Sequence, residues 1–140
     1  MRALGLDVGS KTIGVAKSDE LGWTAQGLTT IRRATLAADL QALTRLIHEH
    51  QIDTVVVGLP KNMDGTLGPQ AQLVLSFVRA LEKALPVPVV TWDERLSTIG
   101  AERALFEADL SRRKRRKVID KMAAAFILQG YLDRSGGARG

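Results

Sequence analysis

Residues 2–19, RALGLDVGSKTIGVAKSD, contain the most informative pattern for predicting the fold. Two short alternating runs flank the turn Gly9-Ser10-Lys11, which predicts two antiparallel strands joined by a hairpin. One face of the first strand carries Leu4, Leu6 and Val8. The other face carries small residues and one carboxylate, Asp7. In the second strand, Gly14 has no side chain to fill the space above the sheet. We therefore expect another part of the chain to approach this face closely.

Helices and strands alternate along the rest of the chain. A third strand is expected near Gly27 to Ile31, followed by a helix from the cap Thr35 to about His50. The β-branched run DTVVVGLP at 53–60 and the run VPVVTWDER at 87–95 are typical of strands buried on both faces. The other predicted helices run from about Pro69 to Ala84, from Ser97 or Thr98 to Ala108, and from about Val118 to Leu132.

Apolar spacing assigns an inward face to two of these helices. The residues expected to face the core are Leu36, Leu40, Leu43 and Ile47 in the first helix, and Leu73, Phe77 and Leu81 in the second. Together the elements predict an α/β domain with a mixed five-stranded sheet, three antiparallel strands and then two parallel ones, flanked by helices on both faces.

Length and composition predict a single cytoplasmic domain. The 140 residues fit one domain, 1–134, and the glycine-rich tail 135–140 is expected to be disordered. The chain has no cysteine, which suits a reducing cytoplasm and excludes thiolate metal sites. No signal peptide is evident, and no run approaches the roughly 18 apolar residues that a membrane span needs.

Positive charge is concentrated in one short segment, RRKRRK. Its six charges account for more than the net charge of +5, so the remaining residues carry a net charge of −1. A charge run is often only a solvated face, but its density and its position just before Asp120 favour nucleic-acid binding. The residues of this basic run are Arg112, Arg113, Lys114, Arg115, Arg116 and Lys117.

Three acidic residues occupy unusual positions. Asp7 lies within a strand, Glu94 follows a strand, and Asp120 lies in the first turn of a helix. Each has a structural alternative: a turn-initiating aspartate, a surface ion pair in the DER triplet 93–95, and a helix-dipole carboxylate. Their combination at one sheet edge, beside the basic run, favours a shared functional site.

Carboxylates are typical ligands of Mg²⁺ or Mn²⁺, and His48 and His50 are expected to be solvated on a helix rim. Two such ions, about 3.5–4 Å apart, can activate water for phosphodiester hydrolysis. The segment PKNMDGTLGPQ at 60–70 could hold a phosphate through Lys61 and Asn62, or could be only a polar crossover.

Four blocks resemble the YqgF proteins, relatives of the RuvC-type Holliday junction resolvases that are also described as pre-16S ribosomal RNA nucleases. The blocks span nearly the whole chain: GLDVGSKTIGVAKSD at 5–19, VVGLPKNMDGTLGPQ at 56–70, VVTWDERLST at 89–98 and RRKRRKVIDKMAAAFILQGYLD at 112–133. The combination of GLPKNMDGT and DERLST is specific to that family.

The resemblance implies a ribonuclease H-like fold whose catalytic and metal-binding residues are Asp7, Glu94 and Asp120. Substrate contacts are expected from the basic run and from Ser10, Lys11, Lys61, Asn62 and Arg95. Two positions depart from the family pattern: Thr12 replaces a common arginine, and Lys61 a common apolar residue. The implied substrate is structured nucleic acid, either the 5′ end of pre-16S ribosomal RNA or branched DNA, and the latter favours a homodimer.

Two other functions are compatible with parts of the pattern. One is a non-catalytic nucleic-acid-binding module in which the carboxylates are structural. The other is an ATP-binding enzyme of the actin and sugar-kinase type, whose phosphate loop resembles DVGSKTIG at 7–14. Length argues against the second, since those enzymes close two such domains over the nucleotide.

Overall fold

The computed structural model describes residues 1–96 and 112–135, with side chains described at 1–95 and 120–135. The strands are β1 (Ala3–Val8), β2 (Thr12–Ser18), β3 (Ala25–Arg32), β4 (Thr54–Leu59) and β5 (Val89–Asp93). The helices are α1 (Leu36–Glu49), α2 (Pro69–Ala84) and α3 (Arg112–Ser135), and a short 3₁₀ turn covers Glu94–Leu96.

The five strands form one mixed sheet in the order β3-β2-β1-β4-β5. The pairs β1–β2 and β2–β3 are antiparallel, whereas β4 lies parallel to both β1 and β5. The predicted sheet is therefore confirmed. The prediction of burial is correct for β4 but wrong for β5, because β5 is an edge strand with partly buried and exposed residues.

Helices cover both faces of the sheet, as predicted. Helices α1 and α2 pack on one face, where they contribute Leu43, Phe77 and Leu81 to the larger core cluster together with strand residues such as Leu6 and Val57. On the opposite face α3 forms a second cluster from Ala124, Ile127, Leu128 and Leu132 with Ala3, Ala16 and Val56. The sheet thus lies between two separate apolar cores.

Most predicted element boundaries are confirmed, and two inward-facing residues are corrected. The Thr35 side chain caps α1 by accepting a hydrogen bond from the Ala38 amide at 3.1 Å, and α2 spans the predicted residues. Leu36 and Leu73 are exposed at 50% and 61%. Leu36 is the first residue of α1, and Leu73 lies beside the inward stripe of α2, which consists of Ala71, Val74, Phe77, Val78 and Leu81.

Helix α3 is longer than the sequence pattern indicates. It begins at Arg112, so the backbone of the basic run is helical, and it ends at Ser135, the first residue of the predicted disordered tail. The predicted helix from Ser97 or Thr98 to Ala108, and the tail beyond Ser135, lie outside the described residues. In the described part of the chain, no helix is long and apolar enough to cross a membrane.

Helix α3 approaches the sheet closely because several strand positions that face it are glycines. A Cβ atom at Gly14 would lie 1.9 Å from the Asp120 carbonyl oxygen. A Cβ atom at Gly5 would lie 2.7 Å from the Leu128 Cβ, and one at Gly58 would lie 2.4 Å from the Ile127 Cδ1. The small-residue face predicted for the first hairpin is therefore the contact surface of α3.

Gly14→Ala should force α3 off the sheet, because the added methyl overlaps helix backbone that cannot move alone. We expect a loss of about 3 kcal/mol in the free energy of unfolding, measured by urea denaturation. Gly27→Ala is the matched control, since its Cβ would lie 3.0 Å from a side-chain atom of the same helix, Lys121 Cβ. Equal losses from the two substitutions would contradict this account of the helix packing.

Candidate functional site

Asp7 and Asp120 both lie next to Gly14. In the antiparallel register Asp7 pairs with Gly14, and directly paired residues have Cα atoms about 4.5–5.5 Å apart. The Asp120 backbone lies against the same glycine, because a Cβ atom added to Gly14 would overlap the Asp120 carbonyl. The close packing of α3 on β2 therefore places the Asp120 backbone beside the carboxyl end of β1.

Glu94 approaches the same face of the sheet from β5. It is the first residue of the 3₁₀ turn after β5, and its Cγ would lie 3.2 Å from a Cβ at Gly58. Gly58 also faces Ile127 of α3 and pairs with Trp92. Since β4 is paired with β1 up to Leu6 and Val57, Gly58 follows at the level of Asp7.

The three acidic residues lie at the same face of the sheet, but their side chains do not form a metal-binding group in the described part of the chain. Within residues 1–96 and 112–135, no three His, Cys, Asp or Glu side chains lie close enough together to hold a metal ion. One oxygen of Asp120, Oδ2, accepts a hydrogen bond of 2.7 Å from the Thr12 hydroxyl. The histidines lie elsewhere, because His48 and His50 are at the carboxyl end of α1, which leads to the opposite edge of the sheet.

Ser10 and Lys11 are exposed in the β1–β2 turn, which follows Asp7 at this edge. Arg33 anchors the turn: its Nη1 donates to the Gly9 carbonyl at 3.0 Å and its backbone amide donates to the Lys11 carbonyl at 2.8 Å. The guanidinium also pairs with Asp39, which is only 2% exposed, at 3.3 Å. Sequence reasoning missed this pair, although a carboxylate on the buried face of α1 was a possible signal.

The loop after β4 is ordered by its own polar groups. The Asn62 side chain donates to the Thr66 hydroxyl at 2.9 Å, and that hydroxyl donates to Asp64 Oδ1 at 2.6 Å. These bonds from Thr66 keep the pKa of the Asp64 carboxyl below its ordinary value. The predicted substrate residue Asn62 therefore has a structural contact, and its role in binding stays a prediction.

Arg95 connects this loop to the end of β5. Its Nη2 and Nε donate to Asp93 at 2.6 and 3.1 Å, and its Nη1 donates to the Met63 carbonyl at 3.3 Å. The hydrogen bond from Arg95 holds the pKa of Asp93 below its ordinary value, with a smaller contribution from the charge of Lys61. The same bond raises the pKa of Arg95. The surface ion pair that was the structural alternative for residues 93–95 is therefore present, and among the described contacts it joins Arg95 to Asp93.

The basic run forms the first turns of α3. At 1.5 Å per residue, the helix backbone from Arg112 to Asp120 spans about 12 Å. The backbone of the whole basic run therefore lies within about 12 Å of Asp120 along the helix axis. The side chains of the run lie outside the described residues. Their predicted contact with nucleic acid therefore stays a prediction.

Solved structures with similar folds place this architecture among RuvC-like proteins. T. thermophilus RuvC in complex with a Holliday junction substrate has a TM-score of 0.59 and 17% identity, covering 97% of this chain and 96% of that one. The Fowlpox virus resolvase in complex with Holliday junction DNA has a TM-score of 0.53 and 13% identity, covering 96% and 99%. The fold is therefore ribonuclease H-like, of the RuvC type, as the resemblance implied.

Sequence comparison identifies the family within this class. A family profile described as "RuvX: Holliday junction resolvase" matches residues 1–134, and the chain belongs to this family. A protein of Moorella thermoacetica named "Putative pre-16S rRNA nuclease" is 63% identical over 136 residues, 97% of each chain. A protein of the same name from Desulforamulus reducens is 59% identical over 133 residues, 95% of this chain and 97% of that one. The chain is thus a nuclease of the RuvX family, also called YqgF.

The Asp93–Arg95 pair should make a small, pH-dependent contribution to stability. Because the folded-state pKa of Asp93 is lowered, the contribution is fully present above the ordinary aspartate pKa of about 3.9 and is lost as the pH falls through the folded-state value. Asp93→Asn should therefore destabilise the protein at pH 6, and this destabilisation should become smaller as the pH falls below about 3.9, as urea denaturation across this range would show. A difference that stays constant with pH would contradict this role of the pair.

Proposed function

We propose that this protein is a divalent-metal-dependent endonuclease that cleaves structured nucleic acid, with Asp7, Glu94 and Asp120 as its metal ligands and catalytic residues. The observation that supports the proposal most strongly is the convergence of β1, the end of β5 and α3 on one face at one edge of the sheet. In open α/β sheets this edge, outside the carboxyl ends of the strands, is where ligands bind.

The donor set has the chemistry of a Mg²⁺ or Mn²⁺ site. Its ligands are carboxylate oxygens, which hard divalent cations prefer, and the chain contains no cysteine that would favour a softer metal. Two glycines provide the approach: Gly14 for the backbone of Asp120, and Gly58 for the stem of Glu94. In the described part of the chain these side chains are not close enough to share a cation, so binding requires at least one of the three to move nearer to the others.

A bound cation would supply charge to activate water and to stabilise the leaving oxygen of a phosphodiester. The chain's own residues hold and orient the substrate. The exposed Ser10 and Lys11 lie in the turn after Asp7, and Lys61 lies close enough to Asp93 to lower its pKa. We propose that these groups bind the nucleic-acid backbone together with Asn62 in the loop after β4, Arg95 after β5, and the basic run at the start of α3.

Two substrates are supported by different relatives. The named function of the curated relatives favours processing at the 5′ end of pre-16S ribosomal RNA. The family description and the junction complexes of proteins with the same fold favour resolution of branched DNA. A junction presents two strands related by a twofold axis, so this second substrate would require a homodimer.

Asp7→Asn should abolish cleavage while leaving the fold intact. We expect a loss in rate of more than about 100-fold, because even a group that only supports a metal ligand contributes about 10–100-fold to metal affinity or activity. Cleavage is measured with a precursor ribosomal RNA fragment and with a four-way DNA junction, each in Mg²⁺ or Mn²⁺. Asp133→Asn, at the exposed far end of α3, is the control.

These assays also rank the two substrates. Faster cleavage of the ribosomal RNA fragment would favour the processing role, and faster cleavage of the junction the resolvase role. Wild-type rates for Asp7→Asn on both substrates would contradict the proposed centre. Binding without any metal-dependent cleavage by the wild type would favour the non-catalytic module.

The basic run should contribute salt-dependent binding. Replacing Arg115 and Arg116 together by alanine should reduce the slope of log K against log salt by up to about 1.8, which corresponds to two phosphate contacts on duplex DNA. Binding is measured in EDTA to prevent cleavage. The matched control replaces Arg79 and Lys83, two exposed cations of α2 on the other face of the sheet, and should leave the slope unchanged.

A further inference from the structure

The hydrogen bond between Thr12 and Asp120 joins two residues separated by 108 positions in the chain. Its oxygen–oxygen distance of 2.7 Å is typical of a hydroxyl that donates to an oxygen acceptor. The contact is partly buried. It is therefore a specific tertiary contact at the proposed metal ligand.

The geometry of this contact follows from the packing of α3. Thr12 and Gly14 are two residues apart in β2 and so share a face of the sheet. Gly14 admits the backbone of Asp120, and Thr12 then meets its side chain. Threonine is β-branched and has few χ1 rotamers, so a strand presents its hydroxyl with little freedom.

A capping role does not explain the contact. Asp120 is the ninth residue of α3, so its carboxylate is well inside the helix and is not needed to satisfy amides at the helix start. Nor does the fold depend on it for burial, because Asp120 is only partly buried while Ala123 and Ala124 provide the packing of that turn. The contact restrains one carboxylate, and that carboxylate is the proposed ligand.

We propose that Thr12 is a positioning residue that orients the Asp120 carboxylate for the divalent cation. This inference rests on the proposed function. A carboxylate on a free side chain loses rotational freedom when it binds a cation, whereas one already held by a hydroxyl has lost part of it. Removing a group that holds a metal ligand in this way lowers metal affinity by about 10–100-fold.

The test measures Mn²⁺ binding by isothermal titration calorimetry with the full chain and no nucleic acid. Thr12→Val removes the hydroxyl but keeps the shape, and should weaken Mn²⁺ binding by about 10-fold. Thr12→Ser keeps the hydroxyl and should bind within about twofold of wild type.

The result separates the positioning role from the proposed metal centre. If Asp7→Asn and Asp120→Asn abolish Mn²⁺ binding but Thr12→Val binds as wild type does, the role of Thr12 is wrong and the centre stands. Tighter binding by Thr12→Val, or equal weakening by Thr12→Val and Thr12→Ser, also overturns it. If the wild type binds no Mn²⁺, or the aspartate variants bind as well as wild type, both inferences fail. Thermal melting of each variant without metal confirms that it is folded.

Discussion

The close packing of α3 on the small-residue face of the sheet is the contact on which both the second core and the site depend. Gly5 and Gly58 admit Leu128 and Ile127 of the helix, which bury the face. Gly14 admits the backbone of Asp120 one turn before Ala124. The contact between α3 and the sheet therefore buries the second core and also positions the Asp120 carboxylate. A change of a fraction of an ångström in the distance between helix and sheet would disturb both.

The two faces of the sheet have different roles. The face covered by α1 and α2 holds the larger core cluster. Arg33 connects α1 to the β1–β2 turn, because it pairs with Asp39 and donates to the Gly9 carbonyl. Removing one partner of such a buried pair leaves an uncompensated charge, which is strongly destabilising. Arg33 thus links the α1 side of the sheet to the turn that follows Asp7, while α3 places Asp120 on the opposite face.

The local pattern was sufficient to predict the hairpin, the Thr35 cap and α2, because alternation, capping and helical spacing act within a few residues. It was not sufficient for contacts set by tertiary packing. Val89–Asp93 has the composition of a buried strand, but only the topology places it at an edge. Likewise Asp93, and not Glu94, pairs with Arg95, since the loop after β4 contributes the Met63 carbonyl that fixes the guanidinium.

The same distinction applies to the candidate site. The sequence indicated three carboxylates because each was costly in its local setting, but the Thr12–Asp120 contact spans 108 positions and left no local signal. A carboxylate–metal centre acts on the phosphodiester, which RNA and DNA share, so the centre itself cannot choose between them. That choice must come from contacts to bases, sugars or overall shape. The loop between β4 and α2 lies next to the end of β5, because the Met63 carbonyl accepts from Arg95, and the Met63 side chain is 91% exposed.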